Sequence, residues 1–209
     1  FLEIKEYALN TSLKKRIFSI EIVKIDAWMI IREGVHSSIS KEGHYDFFND
    51  ASMRRFCSPS VHNVGILNER SLLQEKRHTG DRILLRKTGD QLVSAVVHSK
   101  KTIWAHQNVY VIHPRSGWNV YVIQALLGSK MLSFLYRSGT LGQKGRPMAQ
   151  LRIAGIRALP VPDREELLSR VDELLTLSKR MSLEPINSTW EAINSIVYTL
   201  YGVSDSEKQ

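Results

Sequence analysis

Seven histidines, one cysteine and an uneven set of carboxylates are the residues of this 209-residue chain with the clearest capacity for bond-making chemistry. The histidines (36, 44, 62, 78, 98, 106 and 113) include no His-x-x-x-His pair, so one helical face cannot offer two imidazoles to a zinc ion. A lone Cys57 forms no intrachain disulfide and no thiolate zinc site, and is read as a plain thiol in a reducing cytoplasm. Cys57 and His62 imitate a nucleophile and its base, but Pro59 stands between them and no third orienting group is evident. A metal-dependent nuclease needs clustered carboxylates beside a strand, and the middle of the chain supplies only Asp81 and Asp90. Catalysis by this chain is therefore not expected, and no cofactor or metal is expected within it.

What remains is cationic. The 29 Lys and Arg against 21 Asp and Glu are distributed unevenly. Residues 1–90 hold 15 bases and 12 acids, residues 91–162 hold 9 bases and no acid, and residues 163–209 hold 5 bases and 9 acids, for net charges of +3, +9 and −4. At the chain-wide frequency about seven acids are expected between Asp90 and Asp163, so their absence points to a polyanionic partner. Within this stretch, residues 138–152 (SGTLGQKGRPMAQLR) combine three glycines and a proline with Lys144, Arg146 and Arg152. Glycine lets backbone approach a duplex closely, lysine neutralises phosphate, and arginine can also pair with guanine O6 and N7. Arg146 is thus the candidate for a base and Lys144 for a phosphate; the alternative is a solvated loop. Gly142-Gln143-Lys144-Gly145 also fits the Gly-x-x-Gly loop of single-strand-binding modules, a short and weak pattern.

Further candidates flank the β-rich runs. Lys76, Arg77, His78 and Arg82 precede or begin one run, and Arg86 and Lys87 close it. Strand alternation puts Arg82 and Arg86 on a common side, which would be wet and groove-facing unless Arg86 closes an ion pair to Asp81 or Asp90. Lys100 and Lys101 form a charged turn, solvated or touching a phosphate backbone. Gln107 and Asn108 offer amides for adenine or for ordinary turn hydrogen bonds. The aromatics are scattered through apolar runs and read as core rather than as a stacking platform.

These residues need elements to hold them. Apolar alternation over 17–31 predicts a strand, and 33–63 is polar and turn-rich. Runs at 83–87, 92–98 and 103–112 predict three strands of a curled sheet, the first two joined by Thr88-Gly89-Asp90. Residues 119–137 predict a helix capped by Asn119 and weakened by Gly128. The alternate prolines Pro160 and Pro162 make 151–162 extended. A helix over 163–182 with Leu167, Val171, Leu174, Ser178 and Met181 on one stripe is opened by a capping-box-like Asp163 and Glu166, and packs on its own domain or serves as an arm for a partner. A last helix starts at Pro185 or Ser188, carries Trp190, Ile193, Val197 and Leu200, and ends at Gly202. The expectation is a mixed α/β fold with a C-terminal helical segment, divided into 1–62, a recognition core at 63–162 and helices at 163–209. No apolar run is long enough to span a membrane.

In order along the chain, GDRILLRKTGDQLVSAVV, NVYVIHP, YVIQALLGSKMLSFLYR, RIAGIRALPVP, a leucine-bearing helix and EAINSIVYTLYGVSDSE resemble the TaqI-like C-terminal specificity domain of N6-adenine DNA methyltransferases, over roughly residues 65–206. That arrangement is similar to the target recognition domains of type I specificity subunits. The resemblance implies a domain that selects a duplex DNA sequence, beside a separate catalytic domain that holds S-adenosylmethionine and receives a flipped adenine at an Asn-Pro-Pro-Tyr motif. The six prolines here are never adjacent, and no glycine-rich cofactor turn follows a strand. The methyltransferase half is accordingly expected upstream of Phe1, possession of a nuclease stays open, and a free-standing specificity subunit is the alternative.

Overall fold

The computed structural model describes residues 17, 22–36, 38–39, 44–48, 50–57, 60–138, 149–162, 164–204 and 207. Their first half contributes β1 (Ile22–Lys24), β2 (Met29–Glu33), β3 (Ser38–Ile39), β4 (Tyr45–Phe48), β5 (Val61–Ile66) and a one-turn helix α1 (Glu69–Leu72). The middle contributes β6 (Arg82–Arg86), β7 (Ser94–Val97), β8 (Trp104–Ala105), β9 (Val109–Pro114), α2 (Val120–Leu127) and α3 (Lys130–Ser138). The remainder forms α4 (Ile153–Arg157), β10 (Pro160–Pro162), α5 (Arg164–Leu168), α6 (Val171–Leu183) and α7 (Asn187–Leu200). The mixture of helix and sheet is the expected one.

The strands form two four-stranded sheets and a two-stranded ribbon, all open where a curled sheet is expected. The central sheet has the order β2-β9-β6-β7 and is antiparallel throughout. The smaller sheet has the order β3-β5-β4-β8, with β4 and β8 parallel. Alternation along the central strands decides what covers each face. Met29, Ile31, Ile83, Leu85, Tyr110 and Ile112 share a core with residues of α2, α3, α6 and α7. Leu84, Val97, Val109 and Val111 pack instead with Phe48, Met53 and Ala105 below the smaller sheet. The middle of the central sheet, β6 above all, is therefore dry on both faces, while its β2 edge ends in exposed Arg32 and Glu33.

Several local expectations change for physical reasons. The strand read over 17–31 is interrupted by a 3₁₀ turn at Ile25–Ala27, where Trp28 enters the core and stacks on Trp118 at 3.9 Å. The turn-rich stretch 33–63 supplies β3, β4 and the start of β5, because Phe47 and Phe48 each bury against a different cluster. The run 103–112 divides into β8 and β9 in different sheets, with a turn closed by Val109 N–H donating to His106 O at 2.8 Å. Pro160 and Pro162 do lie in an edge strand, paired with β1, but their constraint does not reach back to Ile153–Arg157, which is helical. The helix read over 163–182 breaks at Ser169–Arg170 into α5 and α6, and Asp163 lies outside the described residues. Leu167, Leu174, Ser178 and Met181 are buried in the domain's own core, and Ser178 Oγ donates to the buried Gln124 Oε1 at 2.9 Å.

Asn119 caps α2 as expected, its side chain accepting from Tyr121 N–H at 2.9 Å. The helix then stops at Gly128 rather than merely weakening. Ser129 Oγ accepts from Leu132 N–H, while Asn194 on α7 accepts from Lys130 N–H at 2.8 Å, so a new helix begins with caps from two elements. Gly128 is required by contact. A β-carbon there would lie 2.6 Å from Cζ of the buried Phe56. At the far end Gly202, at φ 61°, terminates α7, and Val203 N–H returns to Tyr198 O.

Gly128→Ala sets helix propensity, which favours alanine by about 1 kcal/mol, against this overlap. The overlap is expected to win, with a net loss of about 1–3 kcal/mol in urea unfolding. A stabilised variant would mean that Phe56 yields without cost.

Candidate nucleic-acid interface

Among the candidate cations, topology separates two groups at opposite ends of β6. At the Arg86 end, the turn Lys87–Gln91 joins β6 to β7, with Gly89 at φ 104°. Residues 149–151 run alongside it: Gly89 N–H donates to Ala149 O at 2.7 Å, Leu151 N–H donates to Lys87 O at 2.8 Å, and Thr88 bridges Gln150. Lys144 and Arg146 lie outside the described residues. The described chain ends before them at Ser138 of α3 and resumes after them at Ala149, where this turn holds it.

Two buried tyrosines hold that re-entry point. Tyr110 Oη donates to Leu151 O, and Tyr136 Oη accepts from Arg152 N–H, both at 2.7 Å. Burial raises both phenols, that of Tyr110 strongly and that of Tyr136 against the opposing Arg152, which favours their neutral forms. Arg152 itself is exposed, and together with Glu33, Lys87, Tyr110, Gln150, Leu151 and Ile153 it lines an open cleft of about 370 Å³. Lys87 Nζ meets Glu33 Oε1 across it at 3.0 Å. Gln107 and Asn108 are half-buried in the β8–β9 turn at this same end, where Lys87 N–H donates to Asn108 O.

Arg86 is half-buried and its Nε donates to Thr88 O at 3.0 Å. Neither Asp81 nor Asp90 forms an ion pair with it among the described residues; Asp81 instead meets His98 Nδ1 at 2.7 Å. Arg82 departs from expectation most. The shared wet face is the dry interface between the two sheets, and Arg82 is 0% exposed there. Its Nη1 donates to Gly80 O at 2.7 Å and its Nη2 to Ile103 O at 3.0 Å, with the guanidinium over Phe48. Burial lowers its pKa to about 10, and Asp81 opposes that shift. Arg82 is thus a structural pin between β6 and the approach to β8.

The second group lies at the Arg82 end. Exposed Lys76 and Arg77 stand on the 3₁₀ turn Glu75–His78, and exposed Lys100 and Lys101 on the β7–β8 connection. Ile103 N–H donates to His78 O at 3.1 Å and Thr102 Oγ1 donates to Glu75 Oε1 at 2.8 Å, tying the two segments together. With about 3.4 Å of rise per strand residue, the length of β6 puts the two basic groups about 14 Å apart or more. Sequence reasoning missed Arg54 and Arg55. Arg55 Nη2 donates to Gln91 Oε1 at 3.1 Å, which brings it to the Arg86 end across 36 residues of chain, and only the adjacent pair of arginines in a polar stretch hinted at it.

No protein-family model matches the chain, and no curated protein does. Solved structures do. The type IIG restriction endonuclease BpuSI superimposes with a TM-score of 0.51 at 8% identity, over 97% of this chain and 34% of that one. The type I restriction-modification S subunit from M. genitalium gives 0.45 at 17% identity over 77% of this chain and 39% of that one. The HsdS subunit from Thermoanaerobacter tengcongensis gives 0.41 at 11% identity, over 95% of this chain and 52% of that one. The chain thus spans between a third and about half of the length of these proteins. At such identity the likeness to BpuSI is one of fold, shared with a region of that type IIG restriction endonuclease.

The interior of the Arg82 end gives a pH prediction. Buried His78 accepts from Ala105 N–H through Nδ1 at 3.1 Å, so that nitrogen is unprotonated. Burial, then the charges of Arg82, His113 and Arg77, lower its pKa to about 3. His113, which donates to Arg77 O, is also lowered, chiefly by burial. A histidine depressed in the fold contributes stability that is complete above its unfolded value of about 6.5 and is lost as pH falls toward 3. His78→Gln should flatten urea-measured stability between pH 7 and 5 by up to about 1.4 kcal/mol per pH unit. An unchanged slope would contradict the neutral, buried imidazole.

Proposed function

We propose that this chain is the DNA target-recognition domain of a restriction-modification protein, binding duplex DNA through the Arg86 end of the central sheet. The observation that carries the reading is that Ala149 and Leu151, in the acid-free stretch, pair with the β6–β7 turn, which brings Arg152 to the cleft it shares with Lys87 at the Arg86 end. A fold shared with a region of a type IIG restriction endonuclease supports it. Phosphate neutralisation orients the duplex, and a few side chains read base edges. Arg146 reads a base, Lys144 and Arg152 hold phosphates, and Lys76, Arg77, Lys100 and Lys101 form a second backbone contact further along the duplex.

The finer reading is that this domain serves an adenine-specific methyltransferase of the cytoplasm. A catalytic domain outside this sequence binds S-adenosylmethionine and methylates adenine N6, and this chain supplies specificity without catalysis. Among the described residues no group of three or more His, Cys, Asp or Glu could hold a metal ion, and no helix is long and apolar enough to cross a membrane.

Selection of bound duplexes from a random pool, followed by anisotropy titrations in 50 and 200 mM salt, tests the proposal. The intact domain should enrich one sequence and bind random DNA with a steep salt dependence. Arg146→Ala should relax the choice by about 1–3 kcal/mol at one base pair. Lys144→Ala should weaken all duplexes alike and reduce the salt slope by about one. Equal losses on selected and random DNA for both variants would refute this division of roles.

A further inference from the structure

Arg55 stands at the apex of a tight turn whose position leaves little freedom. Arg54 and Cys57 are bridged across it, Phe56 adopts φ 63°, and Phe56 N–H donates to Ser94 O at 2.8 Å. The Phe56 ring is buried against Gly128, so the turn is fastened both to β7 and to the α2–α3 junction. From this base the Arg55 guanidinium lies 4.4 Å above the Trp190 ring and donates to Gln91. Trp190 is itself fixed by its Nε1 donating to Gly128 O at 3.0 Å. Arg86 precedes the β6–β7 turn that carries Gln91, and its side chain is held by its bond to Thr88 O in that turn. A β-carbon on Gly89 would lie only 3.3 Å from its Nη2.

Two guanidiniums are thus held by neutral partners in one half-buried place. Arg55 is bonded to Gln91 and Arg86 to Thr88, three residues apart in the β6–β7 turn, and the Arg55 pKa is lowered first by burial and then by Arg86. Lys87, Lys130, Arg157 and Arg170 all meet carboxylates, whereas neither Arg55 nor Arg86 does among the described residues. Asp90, in the same turn, pairs with neither. The buried Nε of Arg55 has no hydrogen-bond partner. Like charges brought together and partly desolvated oppose folding unless an anion accompanies them, and guanidinium forks bind phosphate oxygens in bidentate fashion.

We propose that Arg55 and Arg86 form one preorganised site for a single backbone phosphodiester of the DNA duplex, beside the point where residues 149–151 re-enter the fold. This rests on the DNA-binding reading above and adds to it a fixed anchor. Lysines on mobile stems must be ordered when they meet DNA. This pair is ordered beforehand by Trp190, Gln91 and Thr88, so one phosphate sets the position of the duplex relative to the β6–β7 turn.

The test is anisotropy titration of a random 16-base-pair duplex with the intact chain and with Arg55→Gln, Arg86→Gln and the double variant, alongside thermal melts in chloride and in inorganic phosphate of equal ionic strength. Each single variant should lose about tenfold in affinity and about one from the salt slope. The double variant should lose little more than either single one, because both side chains hold the same phosphate. Melting in chloride should be unchanged or higher in each single variant, since a repulsion has been removed, which shows that the variants fold. Lys179→Gln, on α6, should bind as the parent does. If the intact chain binds no duplex even at low salt, the DNA-binding reading itself falls. If it binds and the variants bind equally well, the reading stands and the anchor is refuted. A phosphate-induced rise in melting temperature that disappears in Arg55→Gln, with duplex affinity unchanged, would make the site one for a free anion and likewise overturn the proposal.

Discussion

The constraint on which the rest of the molecule depends is that β6, in the middle of the central sheet, is covered on both faces. Ile83 and Leu85 face the helices while Leu84 faces the smaller sheet, so β6 offers no solvent-facing side along which a charged residue can work. A cation on such a strand must either be satisfied internally or emerge at an end. Arg82 takes the first course, spending two donors on the carbonyls of Gly80 and Ile103, and Arg86 takes the second. The exposed cations of β6 and its neighbourhood are consequently displaced to turns, and the hydrogen-bond ladder of the sheet decides which turns meet.

That displacement makes the charge segregation of the sequence spatially meaningful. The acid-free stretch runs through β7, β8, β9, α2, α3, α4 and β10, and contributes Lys100 and Lys101 to one end of the sheet and Arg152 to the other. The acids return in α5, α6 and α7, where Glu165, Asp172, Glu173, Glu184 and Glu191 are exposed. On the proposed reading, a duplex is attracted by the first set and repelled by the second, so charge orients the encounter before any contact forms. The buried stripe of α6 fits a supporting layer: Leu174, Ser178 and Met181 lie in the same core as α2, and Ser178 satisfies Gln124.

Much of this was legible wherever a local rule decided. Alternation found β6 and β7 and the turn between them, Asn119 marked its helix, and Gly202 ended the last one. The failures share a cause in contacts between residues far apart in sequence. Nothing near Gly128 announces Phe56, 72 residues away, whose ring forbids a side chain there. Residues 103–112 look like one strand because their apolar content suits both sheets, and the division at His106–Asn108 follows from packing alone. The wet face assigned to Arg82 and Arg86 failed because the polar stretch 33–63 concealed β4 and β5, the strands of the sheet that covers it. For the candidate site, residue type identified Arg86 and Arg152, while Arg55 became visible only once its turn was placed against Gln91 and Trp190.

Amide chemical-shift mapping of the intact chain on titration with duplex DNA bears most directly on the central claim, that the Arg86 end of the dry sheet is the surface that meets DNA. The account predicts the largest shifts at Lys87–Gln91 and Ala149–Arg152, smaller ones at Lys76, Arg77, Lys100 and Lys101, and none along the exposed side of α6. Shifts concentrated on α6 and α7, with the β6–β7 turn unmoved, would contradict it.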